Sequence, residues 1–123
     1  MSGNVGLGET PTHPQPLPGR EGRVNSARGE AGLRIGGATL VLRPSFAALV
    51  AAEQEVGPLF ALVERFAEGR LSLSEMVTLF WHCLAEPPEG LTRERFSEAV
   101  AVRGLAANMP ALKALVGQIL AGR

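Results

Sequence analysis

The residues that could do chemistry are few, and His82 and Cys83 are the only adjacent pair of metal-ligand types. Neighbouring residues on a helix point about 100° apart, so these two side chains cannot easily chelate one ion. A structural zinc site needs four ligands, and the second histidine, His13, lies far away near the N-terminus. The sequence therefore predicts no metal site, and it predicts that Cys83 is a buried thiol that packs as a small apolar side chain.

Nucleophilic catalysis needs a nucleophile, a base and a group that orients the base. Cys83 and His82 supply the first two but fall on different helix faces, and the chain contains no Asp to orient the histidine. The glutamates fall on polar helix faces, where charge is usually solvated. We therefore predict a protein that is not an enzyme and has no cofactor; an enzyme that uses Cys83 is the alternative.

Arg93, Arg95 and Arg103 could face phosphates from one helix of a helix-turn-helix. The chain as a whole balances 12 basic against 12 acidic residues, and Glu94 and Glu98 interleave these arginines. A local basic signal on a neutral chain disfavours nucleic acid as a partner. A small DNA-binding protein is kept as an alternative.

Charge is distributed unevenly along the chain. Residues 53–89 hold seven Glu and two Arg, a net charge of −5, whereas residues 91–123 hold four Arg, one Lys and two Glu, a net charge of +3. Such a surface suits protein partners or a homo-oligomer better than a phosphate backbone. No apolar run approaches the roughly 20 residues that a membrane helix needs, and no signal peptide is evident. We predict no membrane contact and a cytoplasmic location.

Residues 1–30 are rich in Pro and Gly, and we predict a disordered tail there, followed by a single domain over residues 31–123. Residues 33–42 read as a β-hairpin, because Gly36 and Gly37 supply the positive φ angles of a two-residue turn. Arg43 ends the second strand, and Pro44 and Ser45 lead into a helix.

The remainder of the domain is helical in its hydrophobic period, which predicts a mainly α fold of about five short helices. The predicted helices are Phe46–Glu55, one carrying Leu59, Leu62, Val63 and Phe66, one from Ser72 to about Leu84, Arg93–Arg103, and one that begins near Pro110. In the first, Phe46, Leu49 and Val50 are predicted to share the buried face. The predicted caps are Ser45, Gly69, a capping box of Ser72 and Glu75, Thr92 and Gly104.

Two residues are candidates for partner binding. Trp81 is the lone tryptophan, and an exposed tryptophan often marks an interface hot spot. Arg43 stands at the step from the hairpin into the first helix.

Two short motifs resemble a known family. The run LVLRPSFAAL over residues 40–49 steps from a strand into a helix, and GRLS over residues 69–72 steps into a later helix. Together with Glu53 and Gly57 between them, they resemble the small gene-transfer-agent family proteins, which are related to phage tail assembly chaperones. The N-terminal tail is longer than that family usually shows, and residues 86–90 are rich in proline where a glycine-rich linker is expected.

The resemblance implies a non-catalytic tail assembly factor of a phage or gene transfer agent. Chaperones of this kind coat the tape-measure protein, keep its amphipathic helices soluble and recruit tail-tube subunits. The expected partners are therefore the tape-measure protein, the tail-tube protein or both, in the cytoplasm of the bacterial host or associated with the virion. The alternatives are a structural tail or head–tail joining component, and a small helical DNA-binding or adaptor protein.

Overall fold

The computed structural model describes residues 24–122. The predicted tail thus falls mostly outside the described residues, but its last part lies within them. Residues 26–28 form one turn of 3-10 helix, and the Asn25 side chain caps that turn. Glu30, which composition assigned to the tail, is only 3% exposed.

Two strands, β1 (Ala31–Ile35) and β2 (Ala38–Leu42), form the predicted hairpin. Gly36 and Gly37 have φ angles of +56° and +84°, and they connect the Ile35–Ala38 pair as the sequence predicts. A third strand, β3 (Leu84–Ala85), pairs antiparallel with the other edge of β2. The prediction that the third helix ends at about Leu84 is confirmed, since the helix ends at Cys83 and the chain then pairs with Val41 and Leu42.

Five helices follow the hairpin, which confirms the mainly α fold. They are α1 (Phe46–Val56), α2 (Leu59–Ala67), α3 (Leu73–Cys83), α4 (Arg93–Arg103) and α5 (Leu105–Ala121). The side chains of Ser45, Ser72 and Thr92 cap the helices that follow them, and Ser72 and Glu75 form the reciprocal capping box. Local sequence therefore sets where α1, α3 and α4 begin.

α5 begins at Leu105, and the prediction of a start near Pro110 is wrong. Gly104, at φ +95°, ends α4 and immediately starts α5, so Pro110 lies inside the helix. Proline removes one backbone donor in a helix interior. The flanking turns compensate, since Ala111 and Leu112 are buried after it and the buried Asn108 forms hydrogen bonds before it.

The core is centred on α3, in which every residue from Met76 to Phe80 is buried. α1 packs chiefly against α3, and Ala52 is its fully buried residue. The prediction that Phe46 faces the core is wrong, because its side chain is 84% exposed. Small alanine side chains let α1 lie close to α3, so the buried face centres on Ala52 and Phe46 falls to one side.

Candidate functional site

Arg43 holds a buried carboxylate of its own chain. Its Nε and Nη2 atoms donate to Glu30 Oε2 at 2.9 and 2.7 Å. The backbone amide of Asn25 donates to the other carboxylate oxygen, Oε1, at 3.0 Å. The hydrogen bond from Arg43 holds the pKa of Glu30 below its usual value, although desolvation opposes this. The structure therefore gives Arg43 a structural role in joining β2 to the segment before β1.

Trp81 is half-buried and packs against the core. Its ring centroid lies 5.7 Å from that of Phe96, with the planes tilted by 48°. Tilted aromatic pairs of this separation are favourable. The indole thus helps to join α3 to α4, and only part of it is available to a partner.

His82 and Cys83 have separate environments, as their adjacency on a helix predicts. Cys83 is a buried free thiol, and desolvation raises its pKa to about 12. His82 Nε2 contacts Glu55 Oε2 on α1. Within residues 24–122 no three His, Cys, Asp or Glu side chains are grouped so that they could hold a metal ion.

A polar cluster of Glu55, His82, Arg93 and Thr78 connects α1, α3 and α4. Arg93 donates from both Nη atoms to the Glu55 carboxylate and, from Nη2, to Thr78 Oγ1 at 3.1 Å. Hydrogen bonds from Arg93 and His82 lower the pKa of Glu55 to about 2. The Arg93 guanidinium is therefore occupied within the chain, which weakens the helix-turn-helix alternative.

Exposed apolar side chains also flank two cavities between α2 and α5. One cavity of about 260 Å³ brings Phe66, at the end of α2, together with Leu105, Met109 and Leu112 from the first half of α5. The end of α2 therefore lies beside the first half of α5, so the two helices run antiparallel.

A second cavity of about 300 Å³ lies between the opposite ends of these two helices. It brings Leu59, Phe60 and Val63, from the first half of α2, together with Ile119 and Leu120 from the end of α5. We call the two cavities and the walls that flank them the α2–α5 groove. Phe60, Leu105 and Leu120 are 87, 60 and 64% exposed on these walls.

The α2 wall is held in position near its C-terminal end. Arg65 donates from Nη2 to the last carbonyl of α1, at Val56, and pairs with Glu75 at the start of α3. After α2 the Gly69 amide bonds to Phe66 O at 3.1 Å and the Arg70 amide to Arg65 O at 2.7 Å. This pair of bonds is a Schellman motif, with Gly69 at φ +72° in the predicted position.

A family model described as phage tail tube protein, GTA-gp10, matches residues 28–122. The chain belongs to this family. The matched range includes all three strands, all five helices and both walls of the groove. This match confirms that the motifs at residues 40–49 and 69–72 resemble a gene-transfer-agent or phage tail family.

No curated protein and no solved structure matches the chain significantly. For this tail-family chain, no single helix among residues 24–122 is long and apolar enough to cross a membrane. Two pairs of consecutive helices, α1–α2 and α4–α5, are long and apolar enough only when each pair is taken together. The two helices of each pair meet at a bend, of 75° for α1–α2 and 113° for α4–α5.

The sequence prediction of this tail protein did not include the groove as a site. It placed Leu59, Leu62, Val63 and Phe66 on one apolar stripe and said nothing of Phe60, which lies outside that stripe. A phenylalanine on the polar side of an amphipathic helix was the available signal, because exposed aromatic residues cluster at interfaces. The sequence did not indicate which apolar residues of α5 are exposed, because this depends on how α2 packs against α5 in the tertiary structure.

Proposed function

We propose that this protein is a non-catalytic tail assembly factor of a phage or gene transfer agent, and that it acts by binding another tail protein. Its partner is the tape-measure protein or the tail-tube protein, and binding takes place in the host cytoplasm. The observation that carries the proposal is the exposed α2–α5 groove in a chain of a phage tail family. An apolar groove of this kind can shield an apolar helix of another chain from water.

The chemistry of the described residues supports a binding role over a catalytic one. The thiol of Cys83 is buried with a raised pKa, and a neutral buried thiol is a poor nucleophile. His82 and Arg93 are engaged by Glu55. The groups that the sequence offered for chemistry are thus used to hold helices together.

The experiment is co-expression with the tape-measure protein of the same phage or gene transfer agent. We expect this protein to raise the soluble fraction of the tape-measure protein and to co-purify with it. The tail-tube protein, expressed in the same way, tests the second partner. If neither becomes more soluble nor co-purifies, the assembly role is wrong.

A structural tail or head–tail joining component is the second candidate, and the family description as a tail tube protein favours it. The two candidates differ in finished particles. An assembly factor is expected to be absent from purified tails, whereas a structural subunit is expected in stoichiometric amount. Quantitative mass spectrometry of purified particles distinguishes them.

A further inference from the structure

We infer that the cavity at Phe60 binds a segment of the protein's own chain, residues 14–18, which read Pro-Gln-Pro-Leu-Pro. This Phe60 cavity is the one that Leu59, Phe60, Val63, Ile119 and Leu120 line together with Glu53. Residues 14–18 lie outside the described residues, and three observations support the assignment: the apolar cavity, the sequence of the segment, and the point at which the described chain begins. The assignment goes beyond the proposed function, because it concerns what covers the cavity when no tail partner is bound.

The Phe60 cavity is suited to an apolar side chain. It encloses about 300 Å³, and the side chains of Phe60 and Leu120 on its walls are 87 and 64% exposed. Removing such side chains from water is favourable. The Glu53 carboxylate in the lining accepts a hydrogen bond from the Leu59 amide at 3.0 Å, so the chain itself already engages the one acidic group there.

Residues 14–18 have the composition that an exposed aromatic surface binds. Three prolines alternate with Gln15 and Leu17, and no residue of the segment carries a charge. Each proline ring fixes its φ angle near −65°, so the segment has little conformational entropy to lose when it binds. Proline-rich segments bind aromatic-lined grooves. We assign the Leu17 side chain to the cavity and the flanking prolines to the Phe60 ring.

The described chain begins beside the end of α5 that lines the cavity. Gln118 of α5 donates to the carbonyls of Ser26 and Glu30 at 3.2 and 3.4 Å. Ile119 and Leu120, which line the cavity, follow Gln118 directly. The chain that precedes Ser26 therefore starts within one helix width of the Phe60 cavity.

The chain before residue 24 is long enough to reach the cavity. Leu120 lies two positions after Gln118 and so on nearly the opposite side of α5, a helix that is about 10–12 Å across with its side chains. Leu17 precedes Val24 by seven residues, which span up to about 23 Å when extended. The exposed residues between the two sides of α5 are the small Gly117 and Ala121, which leave room for a chain to pass.

A nitroxide label on the full chain tests the assignment. Gln15→Cys places the label within the segment, and the buried thiol of Cys83, with its raised pKa, is protected from the reagent. In methyl NMR spectra the label is expected to broaden the signals of Val63 and Leu120 strongly. The signal of Val102, which is 88% exposed at the other end of α5, should keep its width. Equal broadening of the three signals, or none, would overturn the assignment.

Matched variants of the labelled chain identify the contact. Leu17→Ser should abolish the broadening at Leu120, whereas Leu7→Ser, a leucine between two glycines in the same region, should preserve it. Phe60→Ser should also abolish it, because it removes the aromatic wall. Phe46→Ser is the control for that change, since Phe46 is 84% exposed on α1 but does not line the cavity. Broadening that survives both Leu17→Ser and Phe60→Ser would show that the segment does not bind there.

A second copy of the chain is the other source of the same segment. A mixture of nitroxide-labelled chains without isotope and isotope-labelled chains without nitroxide separates the two sources. We expect no broadening in this mixture, because the segment binds the cavity of its own chain. Broadening at Leu120 in the mixture would show binding between copies, and the inference would be wrong.

A tail partner that uses the Phe60 cavity must displace the segment, and this consequence rests on the proposed function. Leu17→Ser is therefore expected to increase the amount of tape-measure or tail-tube protein that co-purifies on co-expression, and Leu7→Ser is expected to leave it unchanged. The two proposals fail separately. Co-purification without broadening at Leu120 would refute the inference and leave the assembly role in place, whereas broadening without any co-purification would refute the assembly role alone.

Discussion

Glu55 and Glu64 are both exposed carboxylates, on α1 and α2, but they have different environments. Glu55 accepts hydrogen bonds from Arg93 across 38 positions of sequence and contacts His82 across 27. Glu64 has no side-chain partner among the described residues. One carboxylate therefore joins three helices, and the other remains available to a partner chain.

The titration of Glu55 tests this structural role. Its pKa is about 2 in the folded state, below its ordinary value, so the ionised form is favoured by folding. The stability that Glu55 contributes is thus fully present above the unfolded-state pKa of 4.5 and is lost as the pH falls from there towards 2. Carboxyl-carbon NMR should show Glu55 titrating with a pKa of about 2, and Arg93→Gln should raise this pKa towards the ordinary value.

Arg95→Gln is the control for that titration, because Arg95 lies on the same helix and has no side-chain partner within residues 24–122. It should leave the Glu55 curve unchanged. A Glu55 that titrates near its ordinary value in the wild-type protein would show that the polar cluster does not persist in solution.

At the residue scale the sequence predicted local partners and missed distant ones. The capping box of Ser72 and Glu75 could be found because its two members lie three positions apart. The Glu30–Arg43 pair spans 13 positions, and its ends were assigned to different parts of the chain. A hydrogen bond between remote residues depends on the tertiary structure, which hydrophobic periodicity does not specify.

At the scale of elements, the corner between α4 and α5 is the feature that the sequence described least well. Asn108 is fully buried, and its Nδ2 donates to Val100 O at 2.8 Å and Gly104 O at 2.7 Å. These carbonyls lie at the end of α4, where few backbone donors remain, and Val100 O has only the Gly104 amide at 3.3 Å besides Asn108. Asn108 therefore completes α4 from the first turns of α5, which also explains how α5 begins before Pro110.

Asn108→Ala should destabilise the fold, because it removes two hydrogen bonds from the corner and leaves Val100 O with only the Gly104 amide as a donor. A hydrogen bond typically contributes about 0.5–1.5 kcal/mol, so the free energy of unfolding should fall by about 1–3 kcal/mol in urea titrations. Gln54→Ala on the exposed face of α1 is the control and should change it by less than about 0.5 kcal/mol. A loss as small as that of the control would mean that the corner is held by apolar packing alone.

Elements with strong local signals could be predicted, and short ones could not. Three helix starts followed from Ser45, Ser72 and Thr92, and the hairpin turn followed from two glycines. The two-residue strand β3 continues the apolar run of α3, so neither its period nor its length distinguishes it from helix. Only its pairing with β2 defines it.

At the scale of the whole molecule, the packing before β1 bears on where the folded unit begins. Val24 lies against β1 so closely that a Cβ on Gly32 would meet Val24 Cγ2 at 2.9 Å. Gln118 of α5 donates to the carbonyls of Ser26 and Glu30 at 3.2 and 3.4 Å. Residues 24–30 thus connect the sheet to the last helix, although their composition resembles that of a tail.

Two truncated chains test whether this segment belongs to the domain. A chain that starts at residue 24 keeps every one of these contacts, whereas a chain that starts at residue 31, the boundary that composition predicts, loses Glu30 and the acceptors of Gln118. The shorter chain would thus lose the charge-assisted hydrogen bonds of Arg43 to Glu30 and the two hydrogen bonds of Gln118. We expect its free energy of unfolding to be lower by about 2–4 kcal/mol in urea titrations. Arg43→Ala in the longer chain should account for part of this loss, and Arg70→Ala should account for almost none, because the Arg70–Glu68 pair is well exposed. Equal stability of the two chains would place the boundary at residue 31 and would make the contacts before β1 incidental to the fold.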